Sequence, residues 1–333
     1  MKALITVIVG FALPGCMIAQ TNGFKLTGTV TGFADSTLLY LDDLSDGSFR
    51  HIDSVYIIGG KFSFTGRLSA SPLRAAVRLK DINYRCYVWL ENTSMHFTGD
   101  KQKFRESVLT GSRTQQEQAE FDAFVKAANN RREAEFLFVR DNPGSIISAS
   151  VLSVYSSSWG KDTSAMLYKG FTDEVKNSIY GKRVSEYISL VRNIQVGDVF
   201  VDFSQEDTKG RLRKLSELKG KVVLLEFWGS WCGPCRKGNP GLVKIYNEFK
   251  SGGFEVFGVG AETKKSEWLE AVEDDKLPWI NVSDLRGDNN KAALMYNVSY
   301  YPANFLIDRN GLIVAKDLHG EALRAKLMEL LGR

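Results

Sequence analysis

Cysteine and histidine are scarce in this chain: its 333 residues hold four of the first and three of the second. A structural zinc site draws about four ligands at tight spacings. Outside one Cys-x-x-Cys pair, only Cys16, Cys86, His51, His96 and His319 remain, and none forms a spaced second half. No metal is expected, and His51 and His96 are read as surface or hydrogen-bonded residues. An excess of one charge is also missing, since 43 Lys and Arg face 39 Asp and Glu for a net +4, and no basic aromatic motif accompanies them. Nucleic acid is therefore not an expected partner. The apolar run Ala3 to Leu13 falls short of the roughly 20 residues that span a bilayer.

That run follows Lys2 and precedes Ile18-Ala19-Gln20, so residues 1–19 read as a secretory signal. Two processing routes are open. Leu13-Pro14-Gly15-Cys16 has the form of a lipoprotein box, which would make Cys16 the lipidated residue and supply a lipid anchor. The other route is cleavage after Ala19. Export to the cell envelope is expected by either.

Against this background, Trp231-Cys232-Gly233-Pro234-Cys235 stands out. It follows the strand-like run Val222 to Trp228 and precedes a helix-like segment, so both thiols belong at a helix N-terminus. There the first turn leaves backbone N–H groups unpaired and carries partial positive charge, which stabilises a thiolate. Cys232 should ionise below the roughly 8.5 of a free thiol. Cys235, one turn in, should be more buried and less reactive. Pro234 stiffens the turn where a missing N–H costs little. A purely structural disulfide is the bland alternative, yet so short a loop restrains the unfolded chain little. Cys86, inside Tyr84 to Leu90, is read as a packed core residue.

Residues 196–333 resemble the thioredoxin-fold proteins of the TlpA, ResA and DsbE type. The likeness rests on Gln195 to Phe203, on Leu215 to Lys221, on Phe227 to Lys237 and on Pro240, which matches the proline that kinks the active-site helix. A second signature is Asn297 to Asp308 with Tyr301-Pro302. The resemblance implies a cis proline packed against the dithiol, with Tyr301 offering its backbone to an extended substrate; an ordinary trans proline at a strand start is the alternative. It further implies a protein-disulfide oxidoreductase of the periplasm or cell envelope, with a redox-active Cys232–Cys235 disulfide and no other cofactor. Trp231, Gly233, Pro234, Tyr301 and Pro302 would meet the substrate. Partners would be protein thiols and disulfides and a membrane thiol-disulfide electron donor, often in cytochrome c maturation.

The chain departs from that pattern twice. Many relatives carry glutamate three residues after the second cysteine, where Gly238 stands here. Glu226, six residues before Cys232, stands where thioredoxins carry a buried aspartate. A carboxyl inside an apolar strand is costly unless it works or is paired. Glu226 is thus a candidate catalytic acid-base group with a raised pKa, and Lys221 or another cation is its candidate structural partner.

The expected architecture is an α/β thioredoxin-like C-terminal domain, a central mixed sheet flanked by helices, preceded by an all-β sandwich-like domain and a helical connector. Strands are read at 199–203, 221–228 and 254–259, helices at 233–250 and 320–331, and an inserted helix and strand between Thr263 and Val282. Residues 24–111 show alternating, turn-punctuated runs that suggest an antiparallel sandwich. The stretch Asp53 to Phe64 resembles the β-rich domain of unknown function that often precedes TlpA-like modules. Residues 112–194 read as a helical spacer between the modules. Three functions are weighed: disulfide reductase, oxidase or isomerase, and a binding protein with an incidental dithiol.

Overall fold

The computed structural model describes residues 23–45 and 49–332, so the signal segment and Cys16 lie outside it. The chain divides into two compact units, one reaching Gln116 and one running from Glu117 to the C-terminus.

In the first unit, β1 (Phe24–Thr31), β2 (Leu38–Asp43), β3 (Arg50–Tyr56), β4 (Lys61–Gly66), β5 (Leu73–Arg78), β6 (Arg85–Leu90), β7 (Ser94–Asp100) and β8 (Val108–Thr110) form two sheets. Their orders are β4-β1-β7-β8 and β3-β2-β5-β6. Period-two alternation drives the packing: Leu26, Phe62, Phe64 and Phe97 from one sheet meet Leu39, Leu41, Val77 and Val88 from the other in one core. One expectation needs correcting. β1 and β7 pair in parallel, so the unit is not wholly antiparallel; the intervening chain builds the second sheet and serves as the long crossover that a parallel pair requires. Cys86 is a core residue, as read, and burial pushes its thiol up to about 11.

The helices that follow are α1 (Arg113–Ala127), α2 (Arg131–Asp141), α3 (Ile146–Trp159), α4 (Lys161–Gly170), α5 (Asp173–Asn177) and α6 (Ile179–Leu190). Polar caps start several of them: the side chains of Asn130, Ser145, Thr172 and Ser178 each accept a first-turn amide. α6 buries Tyr180, Val184 and Tyr187 along one stripe. This segment is no free spacer, because Arg192 N–H, just past α6, donates to Met295 O of the C-terminal domain at 3.1 Å.

That domain is built from β9 (Ser204–Asp207), β10 (Leu212–Lys214), β11 (Val222–Trp228), β12 (Phe254–Gly260), β13 (Ile280–Ser283), β14 (Ala303–Ile307) and β15 (Ile313–Lys316), with α7 (Gly233–Phe249), α8 (Lys265–Asp274), α9 (Lys291–Met295) and α10 (Gly320–Leu331). The sheet order is β10-β9-β13-β12-β11-β14-β15. β11, β12 and β13 run parallel, and β14 is antiparallel to β11. The expected strand at 199–203 does not form. Tyr296 Oη accepts from Val201 N–H at 3.0 Å and donates to Val201 O at 2.7 Å, and Phe200 N–H donates to Gly311 O, so these backbone groups are spent outside a ladder. The strand begins instead at Ser204, in a hairpin with β10.

Every residue of the central strand β11 is buried. Val222, Leu224 and Trp228 pack with Phe249, Trp268, Leu323 and Leu327 on the face that also holds both cysteines of the motif. Val223, Leu225 and Phe227 pack on the opposite face with Leu215, Tyr296 and Phe305. By this alternation Glu226 falls on the cysteine face.

Candidate active site

The strand-to-helix handover places the dithiol as the sequence suggests. Cys232 is the N-cap of α7, with extended backbone, and its Sγ accepts from the Cys235 amide at 3.2 Å. Gly233 and Pro234 form the first turn and are exposed, and Pro240 lies inside the helix. Cys232 and Cys235 are joined, with S–S 2.01 Å and Cα–Cα 5.3 Å. The expected difference in burial is absent: the two are 4% and 3% exposed. The bond draws both sulfurs into the same apolar layer, so what distinguishes them is position relative to the helix terminus. Only Cys232 stands where the unpaired first-turn amides and the partial positive charge converge.

Beside the disulfide lies an aromatic surface. Trp231 is 59% exposed, its Nε1 donates to Ala261 O at 2.8 Å, and its ring meets Tyr301 edge-on at 5.5 Å. Gly229 allows this approach, since a Cβ there would sit 2.8 Å from the indole. The Tyr301-Pro302 bond is cis, as the resemblance implied. Tyr300, also exposed, donates from its hydroxyl to Asp317 at 2.7 Å.

Glu226 is 6% exposed, and its Oε2 has no hydrogen-bond partner. Burial pushes its carboxyl up to about 8, against a hydrogen bond from Asn304, its cross-strand neighbour on β14. Lys221 does not reach it; its ammonium pairs with Glu255 at 3.2 Å. The candidate structural partner of Glu226 is therefore engaged elsewhere.

Sequence reasoning missed a second acid. Glu262, two residues past β12 and 1% exposed, accepts the Ser230 amide at 2.5 Å and the Ser230 hydroxyl at 2.8 Å. Its carboxyl also lies above the ordinary range, mainly through desolvation. On the other side of the same loop, Arg236 reaches Ser230 O at 3.4 Å and pairs with Asp275 at 2.6 Å. Asn239 donates to that Asp275 carboxylate at 2.7 Å. These contacts hold the residues before Cys232 between β12 and the end of α8. The faint signal was a carboxylate closing an apolar strand, Val259-Gly260-Ala261-Glu262. Among the described residues, no group of three His, Cys, Asp or Glu side chains is placed to hold a metal ion.

Residues 196–316 match the AhpC/TSA family, and residues 24–118 match DUF4369, a domain of unknown function. The thiol-disulfide oxidoreductase ResA of Bacillus cereus is 30% identical over 147 residues, which cover 83% of that protein and 44% of this chain. The chain belongs to the ResA-type thiol-disulfide oxidoreductases. The ResA of Bacillus subtilis is 35% identical over 122 residues, 66% of its length and 37% of this chain. Among solved structures, the thioredoxin domain of a thiol-disulfide oxidoreductase from Bacteroides vulgatus is 34% identical, covers 42% of this chain and 99% of its own, and has a TM-score of 0.40. The thioredoxin-fold domain holds the Cys232–Cys235 pair, and a β-rich domain and a helical segment precede it.

Proposed function

We propose that this protein reduces protein disulfides through Cys232 and Cys235. The supporting observation is the sulfur of Cys232 capping α7 beside the exposed Trp231 and the Tyr301-Pro302 segment. In the dithiol form, the Cys232 thiolate attacks one sulfur of a substrate disulfide and expels the other as a thiolate, giving a mixed disulfide. Cys235 then loses its proton and attacks Cys232 Sγ, which releases the second substrate thiolate. The substrate gains two electrons, and its two thiolates take up the two protons that Cys232 and Cys235 gave up on ionising. The enzyme is left with the Cys232–Cys235 disulfide.

Glu226 is suited to take the Cys235 proton. It lies on the cysteine face of β11, its unpartnered oxygen is free of other duties, and burial raises its pKa to about 8, close to that of a thiol, so its ionised form can accept the Cys235 proton and later give it up. Trp231, Gly233, Pro234, Tyr301 and Pro302 make the surface that the substrate meets. The signal-like N-terminus supports export to the envelope, with a lipid anchor at Cys16 if the first cleavage route is taken. There a membrane thiol-disulfide carrier would return the dithiol state, with no cofactor beyond the disulfide. The family resemblance makes apocytochrome c, which presents a cysteine pair, the leading substrate. No helix among the described residues is long and apolar enough to cross a membrane.

Reduction of insulin by the wild-type protein, lost in Cys232→Ser, tests the reading. A reduction potential near about −270 mV supports a reductase, and one near about −120 mV makes the same site an oxidase. If wild type and variant were equally inactive, the dithiol would have no exchange role.

A further inference from the structure

We propose that α6, which precedes the thioredoxin-fold domain, is part of its substrate-binding edge: the Glu186–Arg286 pair and the Tyr187–Asn297 contact hold the two segments that border Tyr301. This rests on the oxidoreductase reading above. Arg286 donates two parallel bonds to the Glu186 carboxylate, at 2.8 and 2.5 Å, with both side chains about one-third exposed or less. A planar fork on a carboxylate fixes orientation as well as distance. The residues joined lie 100 positions apart.

Arg286 belongs to the segment Asp284–Asn290, whose backbone is irregular. Leu285 and Gly287 both take positive φ, 56° each, and the Arg286 and Lys291 amides fold back onto the Asp284 carboxylate. Such a segment depends on outside contacts to keep one shape. It has two. Arg286 ties it to α6, and Gly287 N–H donates to Glu262 O at 2.8 Å, the residue whose carboxylate holds Ser230. Asp284, Asp288 and Glu262 surround the Tyr301 phenol closely enough to raise its pKa, although burial is the larger cause.

The other border of Tyr301 is reached from the same helix and the residues just past it. Tyr187 Oη donates to Asn297 Oδ1 at 3.5 Å, and Arg192 N–H to Met295 O at 3.1 Å. Asn297 has φ 54° and opens the stretch that runs to Tyr301-Pro302. α6 thus braces both sides of the aromatic that faces Trp231. The sulfurs are positioned by the α7 terminus and by the Glu262 and Arg236 side chains on Ser230, contacts that α6 does not make. Loosening α6 should therefore weaken substrate binding and leave dithiol reactivity alone.

The test uses the full chain with Glu186→Gln, Arg286→Glu and the swap Glu186→Arg/Arg286→Glu. Amide hydrogen exchange across residues 284–302 should quicken by about ten-fold in the single variants and return toward wild type in the swap. KM for insulin should rise by about three-fold or more, with kcat and the alkylation rate of Cys232 unchanged. Unchanged exchange in Glu186→Gln overturns the proposal whatever the activity. So does a swap that restores neither exchange nor KM, and so does a loss confined to kcat. A wild-type protein that reduces no disulfide overturns the reading of function instead, and the exchange result still decides whether α6 holds this edge.

Discussion

Glu226 and Glu262 are both buried carboxylates of the C-terminal domain, one in β11, which leads to the dithiol, and one just past the neighbouring β12, yet their surroundings are opposite. Glu262 has both oxygens engaged by Ser230, through one amide and one hydroxyl. Glu226 has one amide neighbour, Asn304, and one oxygen with nothing to accept from. Burial at equal depth does not make the same residue. A satisfied carboxylate can serve as scaffold, because removing it strands donors; an unsatisfied one destabilises its strand unless it stays protonated, and a proton held to about pH 8 is one that can be exchanged at neutral pH.

Several experiments can break or sharpen this contrast. Cys232→Ser should reduce turnover to background, which sets the floor for all other variants. Glu226→Gln should slow disulfide exchange at pH 7 by about 100-fold, the low end of general acid-base effects, with thermal stability retained; an unaltered rate would assign Glu226 no part in the chemistry. Glu262→Ala should do the reverse in kind. Stranding the Ser230 donors should cost about 1 to 3 kcal/mol in denaturant unfolding, while Cys232 still alkylates. Equal effects of the two variants on rate and stability would erase the distinction.

Acid and base titration of stability sharpens it further. The folded protein keeps the Glu226 proton up to about pH 8, whereas the unfolded chain releases it near 4.5, the ordinary value for a glutamate. Between those values the native state binds the extra proton, so its stability is fully present at lower pH and declines as pH rises, with a slope of up to about 1.4 kcal/mol per pH unit from this group. Glu226→Gln should flatten that slope in urea unfolding measured from pH 5 to 8. The smallest effect concerns Cys86. Its buried thiol, pushed up to about 11, should resist alkylation at pH 8 in the native protein and react only on unfolding.

What could be read in advance depended on how local the cause was. The Cys232 cap, Pro240, the Tyr301-Pro302 pair and the awkward Glu226 are each set by a few neighbouring residues, and each stands where the sequence placed it. The missing strand at 199–203 had the right apolar pattern, but Tyr296, 95 positions away, takes the Val201 backbone groups that a ladder would need. Glu262 was hidden for the same reason, since its partner Ser230 is 32 residues distant. The parallel β1–β7 pairing depends on a crossover through a whole sheet, and the docking of α6 on the Glu186–Arg286 fork and the Tyr187–Asn297 contact, each 100 or more positions apart. Short-range chemistry was legible, whereas contacts between distant segments were not.

The central claim is that the amides at the start of α7 hold Cys232 as a thiolate, and the pH dependence of iodoacetamide alkylation of the reduced protein tests it most directly. The expected profile has a midpoint well below that of free cysteine, within about 3.5 to 7.5. A midpoint at about 8.5 or above, with an alkylation rate no faster than that of free cysteine, would contradict it.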